Sequence, residues 1–92
     1  MASEFQSKII NEYKSKGYKV VNIIKVSENG MPDLMCLKGG KTIFIECKEL
    51  KDTLKPLQKY RIDELISLGF EAFCVQDKKG IIYPNKTILQ NN

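Results

Sequence analysis

Residues 30–48 read GMPDLMCLKGGKTIFIECK, and this stretch decides the fold. Gly39-Gly40 separates two apolar runs, the signal of a β-hairpin with a tight turn. The arms are Asp33 to Lys38 and Lys41 to Lys48. A two-residue turn pairs Lys38 with Lys41, and each step outward advances one residue on both arms, so Asp33 lands opposite Glu46. A four-residue turn from Lys38 to Lys41 gives the same register; a three-residue turn does not.

Directly opposed strand residues hold their Cβ atoms about 4.5–5.5 Å apart on one face, where like charges are destabilising. Two carboxylates so placed need a reason, and a bound cation is the usual one: Mg²⁺ is held by one or two carboxylates together with waters and phosphate oxygens. Strand alternation puts Glu46 and Lys48 on that same face and turns Ile43, Ile45 and Cys47 toward the core. Phe44 shares the charged face and is a candidate floor for it. Two anions and one ammonium are what phosphodiester hydrolysis uses: a cation that acidifies water and polarises the phosphoryl group, and a lysine that stabilises transition-state charge. The competing reading is a solvated strand face carrying an ordinary Glu–Lys pair. Glu-x-Lys alone is weak, but Pro32-Asp33 one hairpin earlier in matching register is more specific.

Outward from the hairpin, Ser3 to Lys16 reads as a helix. Phe5, Ile9 and Tyr13 recur at helical spacing beside Ile10, Ser3 with Gln6 fits a capping box, and Gly17 fits the stop. Tyr18 to Val26, rich in Val and Ile, reads as a strand. Pro56 to Leu68 reads as a second helix, with Pro56 at its first position and Gly69 at its C-terminal cap. Glu71 to Gln76 and Ile81 to Tyr83 are short strands around Lys78-Lys79-Gly80. Only Ser27 to Met31 and Gln90 to Asn92 are loosely composed. The order α-β-β-β-α-β-β gives an α/β chain, one mixed sheet flanked by helices, expected as a single domain over residues 1–92.

Composition narrows the chemistry. With no histidine among 92 residues, Ser–His and Cys–His nucleophiles and most zinc sites are excluded. Cys36, Cys47 and Cys74 are odd in number and lack CxxC spacing, so they read as buried, reduced thiols. The net charge is +4, and 14 of the 15 basic residues are lysine. That balance suits an anionic partner such as nucleic acid, though ordinary solubilising charge looks the same. No apolar run approaches the roughly 20 residues of a membrane span. The N-terminal stretch does not read as a secretory signal, and the expected compartment is the cytoplasm of a bacterium or phage-infected host.

Gly30-Met31-Pro32-Asp33-Leu34 followed by Phe44-Ile45-Glu46-Cys47-Lys48 resembles the PD-(D/E)xK nuclease signature. Within it the chain is most similar to the virus-type replication-repair nuclease domain (VRR-NUC) in a compact stand-alone form, itself similar to Holliday-junction resolvases. The resemblance runs from Glu4 to about Val75 and implies a restriction-endonuclease-like core in α-β-β-β-α-β order. It further implies a Mg²⁺ or Mn²⁺ ion held by Asp33, Glu46, the Cys47 carbonyl and the helix carboxylate Glu4. It makes Lys48 the catalytic lysine and Gln58 the glutamine at the start of the second helix beside the site. Taken by themselves, Glu4 also suits a helix first turn and Gln58 also suits backbone capping.

The expected activity is that of a metal-dependent endodeoxyribonuclease acting on branched DNA, most specifically four-way junctions. A junction's near two-fold symmetry suits a homodimer, with Ile81, Ile82 and Tyr83 or an exposed part of the second helix as its interface. The alternatives are a nuclease of flaps, single strands or duplex, a non-catalytic DNA-binding module, and a structural domain. A binding module leaves the full Asp33–Glu46–Lys48 set unexplained, and a structural domain leaves the opposed carboxylates unexplained. The single arginine, Arg61, lies near the stripe Gln58, Ile62, Leu65 and could meet a phosphate or simply be solvated.

Overall fold

A computed structural model of the chain describes residues 3–85; the loosely composed Gln90 to Asn92 lies outside them. The elements run α1 (Glu4–Ser15), β1 (Lys19–Asn22), β2 (Leu34–Lys38), β3 (Lys41–Lys48), α2 (Pro56–Ser67), β4 (Glu71–Gln76) and β5 (Gly80–Tyr83). The strands form one sheet in the order β1-β2-β3-β4-β5. β3 and β4 are parallel and the other neighbours antiparallel, so the sheet is mixed. Parallel neighbours need a crossover, and α2 supplies it.

The hairpin has the two-residue turn, with Lys38 paired to Lys41 and Leu34 to Ile45. Each sheet face then receives one helix. Phe5 and Ile9 of α1 pack with Leu34, Cys36, Ile43, Ile45 and Phe73. Ile62 and Leu65 of α2 pack with Phe44, Ala72 and Cys74 on the opposite face. Both helices begin where their first residues favour it. The Ser3 hydroxyl accepts the Gln6 N–H at 3.0 Å, and Pro56 opens α2, where a missing N–H breaks no helical bond. The three cysteines are free thiols.

Two strands are shorter than their composition suggests. Tyr18 to Val26 yields only Lys19–Asn22, because β1 pairs with β2 alone and β2 begins at Leu34, opposite Asn22. One more bond, from the Ile23 N–H to the Asp33 carbonyl at 2.7 Å, ends the ladder. Ile24 is then 89% exposed, its β-propensity outweighed by the lack of a neighbouring strand. Likewise Asp33 lies just outside β2.

The segment from Ser27 to Met31, loosely composed in sequence, is tied down. Arg61 Nε donates to the Asn29 carbonyl at 2.8 Å. Gly30 sits at φ +82°, against α2, where a Cβ would stand 2.7 Å from Leu57 Cγ and 3.1 Å from the Leu57 carbonyl oxygen. A side chain there is excluded both by backbone conformation and by space. Gly30→Ala is therefore expected to destabilise the protein by about 1–3 kcal/mol. Thermal unfolding should show Tm falling about 4–8 °C for each kcal/mol in a chain of this size. An unchanged Tm would mean that this loop is not held against the helix.

Candidate active site

The site grows from the place where β2 begins. Beyond the Leu34–Ile45 pair the register would set Asp33 opposite Glu46 and Pro32 opposite Cys47. Alternate opposed pairs of an antiparallel ladder exchange both N–H and C=O, and Cys47, whose N–H faces the β2 side, belongs to such a position, but proline has no N–H to give. The ladder therefore cannot supply a donor to the Cys47 carbonyl. The Cys47 N–H is satisfied differently: Asp33 Oδ2 accepts it at 2.9 Å. Pro32 is fully buried and anchors the chain just before the acid. Asp33 is thus held through its own carbonyl by Ile23 and through its carboxylate by Cys47.

Glu46 and Lys48 share the α2 face with Phe44, as alternation requires. They are not a solvated pair: Glu46 is 3% and Lys48 5% exposed. Lys48 Nζ lies 3.4 Å from Glu46 Oε2. Gln58, in the first turn of α2, serves both roles expected of it. Its Oε1 accepts the Lys55 N–H at 2.9 Å, and its Nε2 donates to Glu46 Oε2 at 3.4 Å. Phe44 belongs to the core beneath α2, edge-on to Phe70 with centroids 5.7 Å apart. Burial and the neighbouring Asp33 charge push the Glu46 carboxyl up to about 7, and Lys48 only partly offsets them.

A hard divalent cation fits this donor set. Asp33 has a second oxygen beyond the one bonded to Cys47, and Glu46 has one beyond that meeting Lys48 and Gln58. The two carboxyls are within hydrogen-bond reach of each other, and the Cys47 carbonyl shares the strand edge of its N–H. All three are oxygens, the ligands such ions prefer. The Cys47 thiol points to the α1 side and is pushed up by burial, so it offers no thiolate. Glu4 is not brought into the group. It lines a depression with Phe5, Lys8, Glu49, Asp77 and Lys78. Among the described residues no three His, Cys, Asp or Glu side chains are placed to hold one ion.

Arg61 departs from its expected role. Besides Asn29 it meets Glu64 at 3.2 Å and Glu28 at 3.9 Å, and its side chain is only 14% exposed. It is largely enclosed rather than solvated, and it staples the loop before Asp33 to α2. Two neighbours of Lys48 escaped the sequence reading. Asp52 Oδ2 lies 3.7 Å from Lys48 Nζ, and Gln76, buried on β4, is paired with Lys48 across the sheet. Gln76 did leave a signal, since it follows Ala72 and Cys74 at alternate positions, a polar residue on a core face. Asp52 left none, because its position depends on the turn after β3.

The raised Glu46 fixes a pH dependence. Folded, Glu46 keeps its proton up to about pH 7; unfolded, it loses it near the ordinary 4.5. Between these values the folded state binds more protons, so this group's contribution to stability is full below about 4.5 and is lost as the pH rises through about 7. In EDTA, Glu46→Gln should have a higher Tm than the unsubstituted protein at pH 8 and a similar one at pH 4. Curves that run parallel across that window would show that Glu46 titrates normally.

Hjc of Archaeoglobus fulgidus, a Holliday junction resolvase from an archaeal hyperthermophile, has a similar structure, with a TM-score of 0.62 at 20% identity. The alignment covers 82% of this chain and 67% of that one, a likeness that bears out the expected resolvase-like α/β fold. No curated protein matches. The profile of the VRR-NUC domain matches residues 4–78, from the first residue of α1 to the turn after β4, with Asp33, Glu46, Lys48 and Gln58 inside it. The chain therefore belongs to the VRR-NUC family of nuclease domains.

Proposed function

We propose that this chain is a Mg²⁺- or Mn²⁺-dependent endonuclease that cuts branched DNA, four-way junctions foremost, as a homodimer. The observation that carries the reading is the Asp33–Glu46–Lys48 group, in which Glu46 and Lys48 are buried and Asp33 half-buried beside them. Burial, and after it the neighbouring Asp33 charge, keep Glu46 protonated to about pH 7, an arrangement that a cation relieves. Asp33, Glu46 and the Cys47 carbonyl would hold the ion, which when bound acidifies a water and polarises the scissile phosphate.

The chain's own residues supply the rest. In hydrolysis a water oxygen bonds to phosphorus, the bond from phosphorus to the leaving sugar oxygen breaks, and the water's proton passes through solvent to that oxygen. The Lys48 ammonium stabilises charge on the phosphoryl oxygens as this proceeds. Gln58 orients Glu46 from above, and Asp33 is fixed through Cys47. Junction preference rests on the likeness to a structure described as a Holliday junction resolvase. A lysine-rich surface with its arginine engaged suits backbone contacts, which position DNA without reading sequence. A two-fold substrate favours a symmetric dimer, and Leu57, Tyr60, Ile66, Leu68 and Phe70, all exposed on or just after α2, offer it apolar surface. No helix among the described residues is long and apolar enough to cross a membrane. We place the activity in the cytoplasm.

The test is a labelled four-way junction and a matched linear duplex incubated with Mg²⁺, Mn²⁺ or EDTA. Paired symmetric nicks in the junction are expected with either metal and none in EDTA. Lys48→Ala should lower the cleavage rate about 10²- to 10³-fold while junction affinity stays within a few-fold. Asp33→Asn and Glu46→Gln should abolish cutting and weaken Mn²⁺ binding measured directly by calorimetry. Preferential cutting of flaps or duplex would remove the junction assignment. Tight binding without cleavage in any metal would leave a DNA-binding module.

A further inference from the structure

Lys48 is a buried ammonium, and such a group keeps one orientation only if its surroundings fix it. Glu46 Oε2 at 3.4 Å is one neighbour. A cation at Glu46 would draw on the same carboxylate, so this contact alone is a poor anchor. The second anion is Asp52 Oδ2 at 3.7 Å, on the segment between β3 and α2. That segment is not held by regular structure, and its path is set by one buried side chain. Gln76 Nε2 lies 3.0 Å from the Glu49 carbonyl, 3.2 Å from that of Leu50 and 2.8 Å from that of Asp52. Gln76 is 5% exposed and stands directly beside Lys48 in the parallel β3–β4 register. The turn is closed by the Asp52 N–H donating to the Glu49 carbonyl at 3.1 Å, and the Asp52 Oδ1 accepts the Thr53 N–H at 2.8 Å. One carboxylate oxygen thus steadies the turn and leaves the other turned to Lys48.

We propose that Asp52 and Gln76 are positioning residues for Lys48: Gln76 gathers the three carbonyls of the 49–52 turn, and the turn delivers the Asp52 carboxylate that holds the Lys48 ammonium in place. The inference rests on Lys48 acting in cleavage. Asp52 works through Lys48 and Gln76 through the turn; neither touches the reacting phosphate. A carboxyl-to-carboxamide change at Asp52 removes the anion and little else, because the side chain is 52% exposed. A Gln76→Glu change keeps shape but replaces two N–H donors shared among three carbonyls with an acceptor facing them, so the turn moves.

The experiment has two readouts. The first is the Nζ resonance of Lys48 in metal-free protein carrying isotope-labelled lysine, assigned by its loss in Lys48→Arg. Asp52→Asn and Gln76→Glu are expected to shift this resonance toward those of the solvated lysines, with Tm of Asp52→Asn close to that of the unsubstituted protein. The second is cleavage kinetics on the labelled junction. There Asp52→Asn should lower kcat about tenfold or more with KM within about twofold, the pattern of a misplaced group that acts in the transition state. Asp52→Glu, which restores the charge, should recover part of the loss. A Lys48 resonance unmoved by Asp52→Asn overturns the proposal, whatever the kinetics. A moved resonance with unchanged kcat overturns the positioning role. Full cleavage by Lys48→Ala would instead bring down the assignment of Lys48, leaving the metal-free resonance to report on the hold itself. Should Gln76→Glu fail to fold, Asp52→Asn carries both readouts alone.

Discussion

The Cys47 N–H points at a strand that is no longer there, and the Asp33 carboxylate accepts it instead. Most of the site depends on that substitution. Because β2 begins only at Leu34, Asp33 is free to turn its side chain into the space that an earlier start of the ladder would fill. Because the residue in register with Cys47 is Pro32, the same stretch of β3 keeps a backbone carbonyl that the sheet cannot occupy. One proline and one aspartate thus convert the frayed end of a hairpin into a cluster of oxygens, and the two-residue Gly39-Gly40 turn sets which oxygens they are. A slip of one residue would send Glu46 and Lys48 to the α1 face.

Such a cluster is expensive in a small protein. Glu46 and Lys48 leave water together with Asp33 half-buried beside them, and the attraction of Lys48 for Glu46 does not cancel the desolvation of Glu46 and the repulsion from Asp33. The chain's own remedy is a proton on Glu46, which burial and Asp33 hold there to about pH 7. A divalent cation is a better remedy, since it answers both carboxylates at once, and the exchange of a proton for an ion ties cation affinity to pH. The instability of the empty cluster and its readiness for an ion are two faces of one electrostatic fact.

What was legible in the sequence is what local chemistry controls. The hairpin register followed from Gly39-Gly40, the helix starts from Ser3 and Pro56, and the α/β order from the period of the apolar residues. Strand length was less legible, because Tyr18 to Val26 is rich in strand formers while a strand lasts only as long as its partner. At the site, Asp33, Glu46 and Lys48 could be placed because strand geometry alone relates them. Gln58 was balanced between capping a helix and serving the site, and it does both with the two ends of one amide. Arg61 looked available because its partners, Asn29, Glu28 and Glu64, are supplied partly by a loop whose path no local rule predicts. Asp52 was invisible for the same reason. Glu4 was placed at the site by resemblance alone, and among the described residues it does not join Asp33 and Glu46 in a group of three that could hold an ion.

The position of the cluster also follows from topology. β3 and β4 are parallel neighbours, so the chain must leave the carboxyl end of β3 and travel back before β4 begins. The returning element is α2, which therefore starts beside the end of β3 that carries Glu46 and Lys48. This explains why a residue of its first turn, Gln58, can reach Glu46, and why the segment joining β3 to α2 is the one that brings Asp52 to Lys48. It also sets the positive end of the α2 dipole near two carboxylates, where it eases their repulsion. The carboxyl ends of parallel strands are favoured ligand sites because connections diverge there and leave room. In this chain the room is made on one side by the crossover and on the other by β2 stopping short. Continuing the β2–β3 ladder through the positions of Asp33 and Pro32 would close that space, which is why the early end of the pairing at Leu34–Ile45 matters to the site.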